Sequence, residues 1–356
     1  MFISVRRSVV ALLCAIALLS VDGVGTHALA ATQPKRYSVS LPVPLRRQFD
    51  ANFGYCGETS LITAGMMFGQ YLSQYDLRAL ASPGQPQSAQ TSQLLVGIND
   101  QAAATRVHLR SKKYGGPTSN PRAFLTWIKE EVTSKHPVVI GVFTNSYRFD
   151  DVADPNAGEI EYDHIVTVTG VSSSHPLTQP ATYFPDDTLT FTDHGIWTGT
   201  ASSASQFVFT YSFATFPKTR QQANAKTSSV YALPSGVENY GLSILGVADD
   251  SHETLPVAVT TSVNSEGQTM RDGANVRPPA TRLSVTATLS GLSPHVVYKL
   301  YRYNSAASVP NSRFNANRAH AVSTRRIVAT TSTYVITETI RSSDEVFYRA
   351  VRASAP

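Results

Sequence analysis

The sequence predicts an α+β part followed by an all-β sandwich. Helical spacing comes early: Leu61, Ala64/Gly65, Phe68 and Leu72 recur after Cys56, and residues 124–132 repeat the pattern with Asn120 or Ser119 as cap and Pro121 at an early position. Apolar, β-branched runs follow at 137–143, 160–171 and 188–192, with an aromatic-rich run at 206–213, so helices precede consecutive strands. After residue 239 the texture changes to short alternating runs at 242–247, 255–260, 283–289, 296–303, 326–337 and 345–351, split by turn residues, which indicates a sandwich. Residues 217–229 hold no large apolar side chain. The expected organisation is therefore a leader at 1–30, an α+β domain at 31–216, a linker at 217–238 and a sandwich at 239–356.

The leader reading rests on Arg6 and Arg7, an apolar run over 8–19 and the small-x-small triplet Ala28-Leu29-Ala30, with cleavage expected before Ala31. It implies a secreted or periplasmic protein. Cys14 follows Leu13 rather than a small residue, which argues against a lipoprotein anchor, and no later run is long enough to span a bilayer. The chain carries 30 basic and 25 acidic side chains, a net charge of +5. The densest basic spots are pairs (Arg46-Arg47, Lys112-Lys113, Arg325-Arg326), so nucleic acid is not an expected partner.

Without the leader, Cys56 is the single cysteine, and an exported chain cannot use it for an internal disulfide. A free cysteine is commonly a small buried hydrophobe. Here, however, Cys56-Gly57 opens a helix, where unpaired N–H groups and the dipole favour a thiolate. A nucleophile needs a base and a group to orient that base. His164 stands where polar residues give way to a strand, and Asp193 ends the next strand just before Gly195, with His194 beside it as an alternative partner. Cys56, His164 and Asp193 are the expected catalytic residues.

A Cys-Gly helix start, then a strand bearing His and a strand ending in Asp, resembles the papain-like cysteine peptidase superfamily, nearest to its peptidase C39-like domains. The resemblance implies a Cys-His-Asp triad that cleaves an amide, with a peptide as the leading substrate, through a thioacyl-enzyme. It also implies a side-chain amide before the cysteine to bind the oxyanion. The family's usual Gln position holds Asp50 here; Asn52 and Gln48 are the amides on offer, and Asn52 is preferred, with the Cys56 N–H as second donor. Glu58 stands where these domains commonly have Pro, and could bind a substrate amine. The stretch 289–303 resembles a turn and strand of a fibronectin type III domain.

The same triad also serves acyl transferases and transglutaminase-like enzymes, and a catalytically inactive surface-binding or adhesion protein is the other alternative. No cofactor is implied. His108, His136, His175 and His194 lack metal-ligand spacing. The acidic loop 150–161 lacks EF-hand spacing and reads as a solvated turn that could rim the site and favour cationic substrates. The sandwich could contact a cell-surface or wall polymer. Gly65 and Gly69 suggest a close approach to the helix, with the His164 strand as the natural neighbour, and Trp197 could shield the triad from water.

Overall fold

Continuous apolar runs give the strands Val138–Thr144 and His164–Ser173 two buried faces, and they occupy the centre of a nine-stranded sheet. This computed structural model describes residues 35–199, 204–263 and 280–353, so the expected leader lies outside the described residues. The sheet runs in the order Leu109–Lys113, Gly241–Val247, Val138–Thr144, His164–Ser173, Thr188–Trp197 and Gln206–Ser212, with every neighbour antiparallel. Tyr37–Ser40 adds onto the His164 strand, and Tyr231–Pro234 onto the end of Val138–Thr144. The protein is thus mixed α+β with almost wholly antiparallel sheets.

Strand alternation sorts the layers. Val138, Ile140, Val142, Val166, Val168 and Phe191 share a core with the helix Pro121–Thr133, whose N-terminus is capped by Asn120 accepting from the Ala123 N–H. On the other face Val139, Ile165, Leu242 and Ile244 share a core with the helix Cys56–Met66. The sheet therefore lies between two helical layers.

The Cys56–Met66 helix differs from the amphipathic helix expected. Every residue from Gly57 to Met66 is buried, because the C-terminal strands cover the side turned away from the sheet. The short strand Gln70–Tyr71, directly after the helix, pairs with Val346 and Phe347. Gly69 lies beyond the helix end at φ +78°, and a Cβ there would stand 3.0 Å from the Tyr348 carbonyl oxygen and from Val257 Cβ. The close approach is thus to the C-terminal strands at Gly69 and to Gln70 and Leu109 at Gly65, not to the His164 strand. Those strands form two antiparallel sheets. One contains Thr254–Leu255, Val346–Arg352, Val297–Tyr303 and Ser323–Val328; the other contains Val257–Thr261, Arg282–Ser290 and Thr333–Arg341. Val285, Ala287 and Leu289 meet Leu300, Phe347 and Ala350 in one core with the Cys56 helix.

Two expected boundaries are corrected. Gly241–Val247, read as the first sandwich strand, belongs to the sheet that carries His164. Residues 217–238, read as a linker, hold a two-residue strand, a short helix capped by Thr219 in a capping box, and Tyr231–Pro234, which is fully buried. From Arg36 onward the described residues form one compact unit. Leu233 tests this: it is fully buried among Val142, Phe191 and Phe216. Leu233→Ala is expected to cost about 2–5 kcal/mol in urea unfolding. A position in a solvated linker would change stability by less than about 0.5 kcal/mol.

Candidate active site

Cys56 is the first residue of its helix and is half-buried. Gly57 follows because the turn runs against backbone: a Cβ there would lie 1.9 Å from the Leu94 carbonyl oxygen. The chain enters the helix through Asn52, Phe53 and Gly54, all at positive φ (48°, 66° and 85°). Two consecutive non-glycine residues in this region are strained and need outside support. Arg78 supplies it from the helix Gln74–Ala81. Its guanidinium donates to the carbonyls of Asn52 (2.7 Å), Gly54 and Gln87 (3.2 Å), and stacks over the Tyr55 ring at 3.6 Å. Its Nε donates to Glu58 at 2.6 Å, and Glu58 also accepts from the Leu94 N–H at 3.0 Å. Both members of this ion pair are buried. Glu58 is therefore unavailable to a substrate amine, and its charge, which would oppose a nearby thiolate, is met by Arg78.

His164 opens its strand opposite Val142, and Asp193 lies on the adjoining strand just past the Thr167–Thr192 pair. The diagonal between them lets His164 Nε2 and Asp193 Oδ1 meet at 2.9 Å. The Cys56 thiol neighbours the same imidazole and lines the same cleft, so the structure brings the three residues together. Burial alone would lower the His164 pKa; the hydrogen bonds and charges of Asp193 and Cys56 outweigh it and raise the value to about 10. Burial would raise Asp193, but its bond to His164 and the charge there hold its carboxyl below the usual range. The Ile196 N–H also donates to Asp193. Tyr231 stacks on the imidazole with centroids 5.8 Å apart and 22° between planes. Phe149 links Tyr231 to Trp197, an aromatic wall behind His164.

His194 does not exchange roles with Asp193. It lies on the helix side of the sheet, where its Nε2 is 2.9 Å from both the Ile165 carbonyl and Ser60 Oγ. Burial, followed by the charge on His164, lowers its pKa to about 4. Asn52 also departs from expectation. Its side-chain amide donates to the Tyr55 hydroxyl at 3.0 Å, and that hydroxyl donates to Gln87, so this buried amide turns away from the sulfur. Gln48, the other amide weighed, lines the cleft with Cys56 and His164; its Nε2 lies 3.0 Å from where a Gly54 Cβ would stand. The two residues the sequence left unremarked are Arg78 and Tyr231.

The cleft has a volume of about 570 Å³ and also takes in Phe53, Leu95, Ile98, Glu159, Glu161 and Tyr162. In the acidic loop the carbonyls of Asp154, Pro155 and Ala157 face the Asn224 amide, while Asp163 is gripped by Arg220 at 2.6 and 2.8 Å. Among the described residues no group of three or more His, Cys, Asp or Glu is placed to hold a metal ion.

The two histidines give opposite pH dependences. His194 has a folded pKa below the ordinary 6.5, so its contribution is present above that pH and is lost as pH falls towards 4. His164 has a raised value, so its contribution is present below about 6.5 and is lost as pH rises through about 10. His194→Asn should therefore flatten the loss of stability between pH 6.5 and 4 by roughly 3 kcal/mol, measured by urea unfolding across that range. An unchanged slope would contradict the neutral, buried assignment. Compared with known proteins, the chain matches no family model, no curated protein and no solved structure.

Proposed function

We propose that this chain is an exported cysteine hydrolase that cleaves an amide bond, in a peptide, through Cys56, His164 and Asp193. The single observation that carries the reading is the buried His164–Asp193 hydrogen bond with the Cys56 thiol at the same imidazole, opening on a cleft. The cysteine helix packed on an antiparallel sheet that supplies both other residues supports a papain-like arrangement. The two C-terminal sheets sharing a core support a fibronectin type III-like sandwich. The sandwich covers the cysteine helix, which gives it a stabilising role.

In the mechanism, His164 already holds the thiol proton when sulfur bonds to the amide carbon. Asp193 holds the imidazolium in place, with Nε2 committed to the carboxylate and Nδ1 left for sulfur. The oxyanion is held by the Gln48 side-chain amide and the Cys56 backbone N–H, a reassignment from Asn52 that follows from where each amide points. His164 then returns the proton to the leaving nitrogen as the C–N bond breaks. Water attacks the thioester, giving up a proton to His164, and the carboxylic acid leaves with the thiol restored. Two features that favoured an inactive scaffold lose force: Glu58 is paired with Arg78, and an amide does line the cleft.

Peptide-library digestion read by mass spectrometry tests the assignment. Cys56→Ala should abolish cleavage without lowering the melting temperature appreciably. Gln48→Ala should lower kcat about 10²–10³-fold. Asn52→Ala should act on stability, since it releases the Tyr55 hydroxyl. Full turnover by Cys56→Ala would overturn the reading.

A further inference from the structure

The cleft differs in charge from the chain that contains it. The protein carries a net +5, yet among the described residues neither Lys nor Arg lines the cleft, His164 is its one basic side chain, and its three acidic residues are Glu159, Glu161 and Asp163. Asp163 is neutralised: Arg220 grips both carboxylate oxygens, and the N–H groups of Thr144 and Glu159 donate to it. Glu159 and Glu161 are exposed, and neither carboxylate has an ion pair or side-chain hydrogen bond among the described residues.

Beside Gln48, Gln90 and Gln93, the mouth presents large apolar side chains. Phe53 is 56% exposed and Ile98 is 71% exposed, the latter on the same loop as Leu95. Large apolar side chains left in water at the opening of a site form a recognition surface. Phe53 has positive φ and is held by the carbonyls that Arg78 grips on either side of it, so its position is fixed. The two parts of the mouth are tied together, since the Tyr162 hydroxyl donates to the Val96 carbonyl at 3.0 Å.

We propose that the cleft selects peptides carrying a basic side chain beside an apolar one near the scissile bond, Glu159 and Glu161 binding the cation and Phe53 and Ile98 the apolar group. This rests on the hydrolase reading for its reacting bond but not for its electrostatics. The Asp163–Arg220 clamp anchors the backbone of the acidic loop beside His164, one residue away, so Glu159 and Glu161 are presented at the cleft.

Two arms separate this inference from the reading beneath it. The first compares kcat/KM for peptides identical except for Lys, Gln or Glu beside the cleaved bond. At low salt the Lys peptide should exceed the Gln peptide about five- to tenfold, as expected for two exposed ion pairs. The ratio should shrink in 1 M salt, where the screening length is about 3 Å. In E159Q/E161Q it should fall towards one. The second arm needs no turnover. With Cys14→Ser leaving Cys56 as the single thiol, methanethiosulfonate reagents bearing an ammonium or a sulfonate group are timed against it. The ammonium reagent should react faster, and the double variant should lose that preference. Equal turnover of the three peptides, or an unchanged ratio in E159Q/E161Q, overturns the proposal whatever the labelling shows. Cation-selective labelling with no cleavage of any peptide supports the cation site and removes the hydrolase instead.

Discussion

A guanidinium buried beneath the site holds the backbone that presents the sulfur. Arg78 reaches four acceptors, Glu58 and the carbonyls of Asn52, Gly54 and Gln87, and lies flat on Tyr55. Removing one partner from such a buried ion pair costs about 3–5 kcal/mol, because the other charge is stranded. An apolar pair of similar volume could supply equal stability, but could not satisfy carbonyls turned inward by three consecutive positive φ angles. The entry to the Cys56 helix therefore depends on this one side chain. The fork geometry of arginine suits it to the task, since lysine offers a single point charge.

Above that support, a buried network sorts two histidines into different states. His164 and His194 are near neighbours, with centroids 5.4 Å apart, and both are buried. One faces a carboxylate and a thiol and gains affinity for a proton; the other faces a carbonyl and a hydroxyl and loses it. Strand alternation makes the difference, because His164 and Asp193 share one face of the sheet while His194 points to the other. The charge that sits on His164 itself helps to keep His194 neutral.

Much of this was legible in the sequence where local signals are strong. Cys56-Gly57 before a periodic apolar run marked the helix start, and the polar-to-apolar transition at His164 placed it at a strand start, whereas Asp193, expected to end its strand, lies inside Thr188–Trp197. Asn120 and Pro121 marked the start of the helix Pro121–Thr133, and it starts there. Side-chain direction was not legible. Asn52 lies nearer to Cys56 in sequence, but its amide is captured by the Tyr55 hydroxyl, leaving Gln48 to line the cleft. The run 217–229 reads as a linker because its buried content is small or polar, while the anchoring residues, Tyr231 and Leu233, come immediately after it. Strand partnership was equally hidden: the alternation in 241–247 predicts a strand, but nothing local says that it inserts between Leu109–Lys113 and Val138–Thr144. Glu58 looked like a departure from the motif until Arg78, twenty residues on, met it.

The central claim is that His164, held by Asp193, activates the sulfur of Cys56. Its most direct test is the rate of iodoacetamide alkylation of Cys56 from pH 5 to pH 10 in the wild-type chain and in His164→Gln, since only the thiolate reacts. The account expects the wild-type thiol to react readily at pH 6. It expects His164→Gln to slow that reaction at least about tenfold, the two rates converging in alkali where any thiol ionises. Superimposable pH–rate profiles for the two proteins would contradict it.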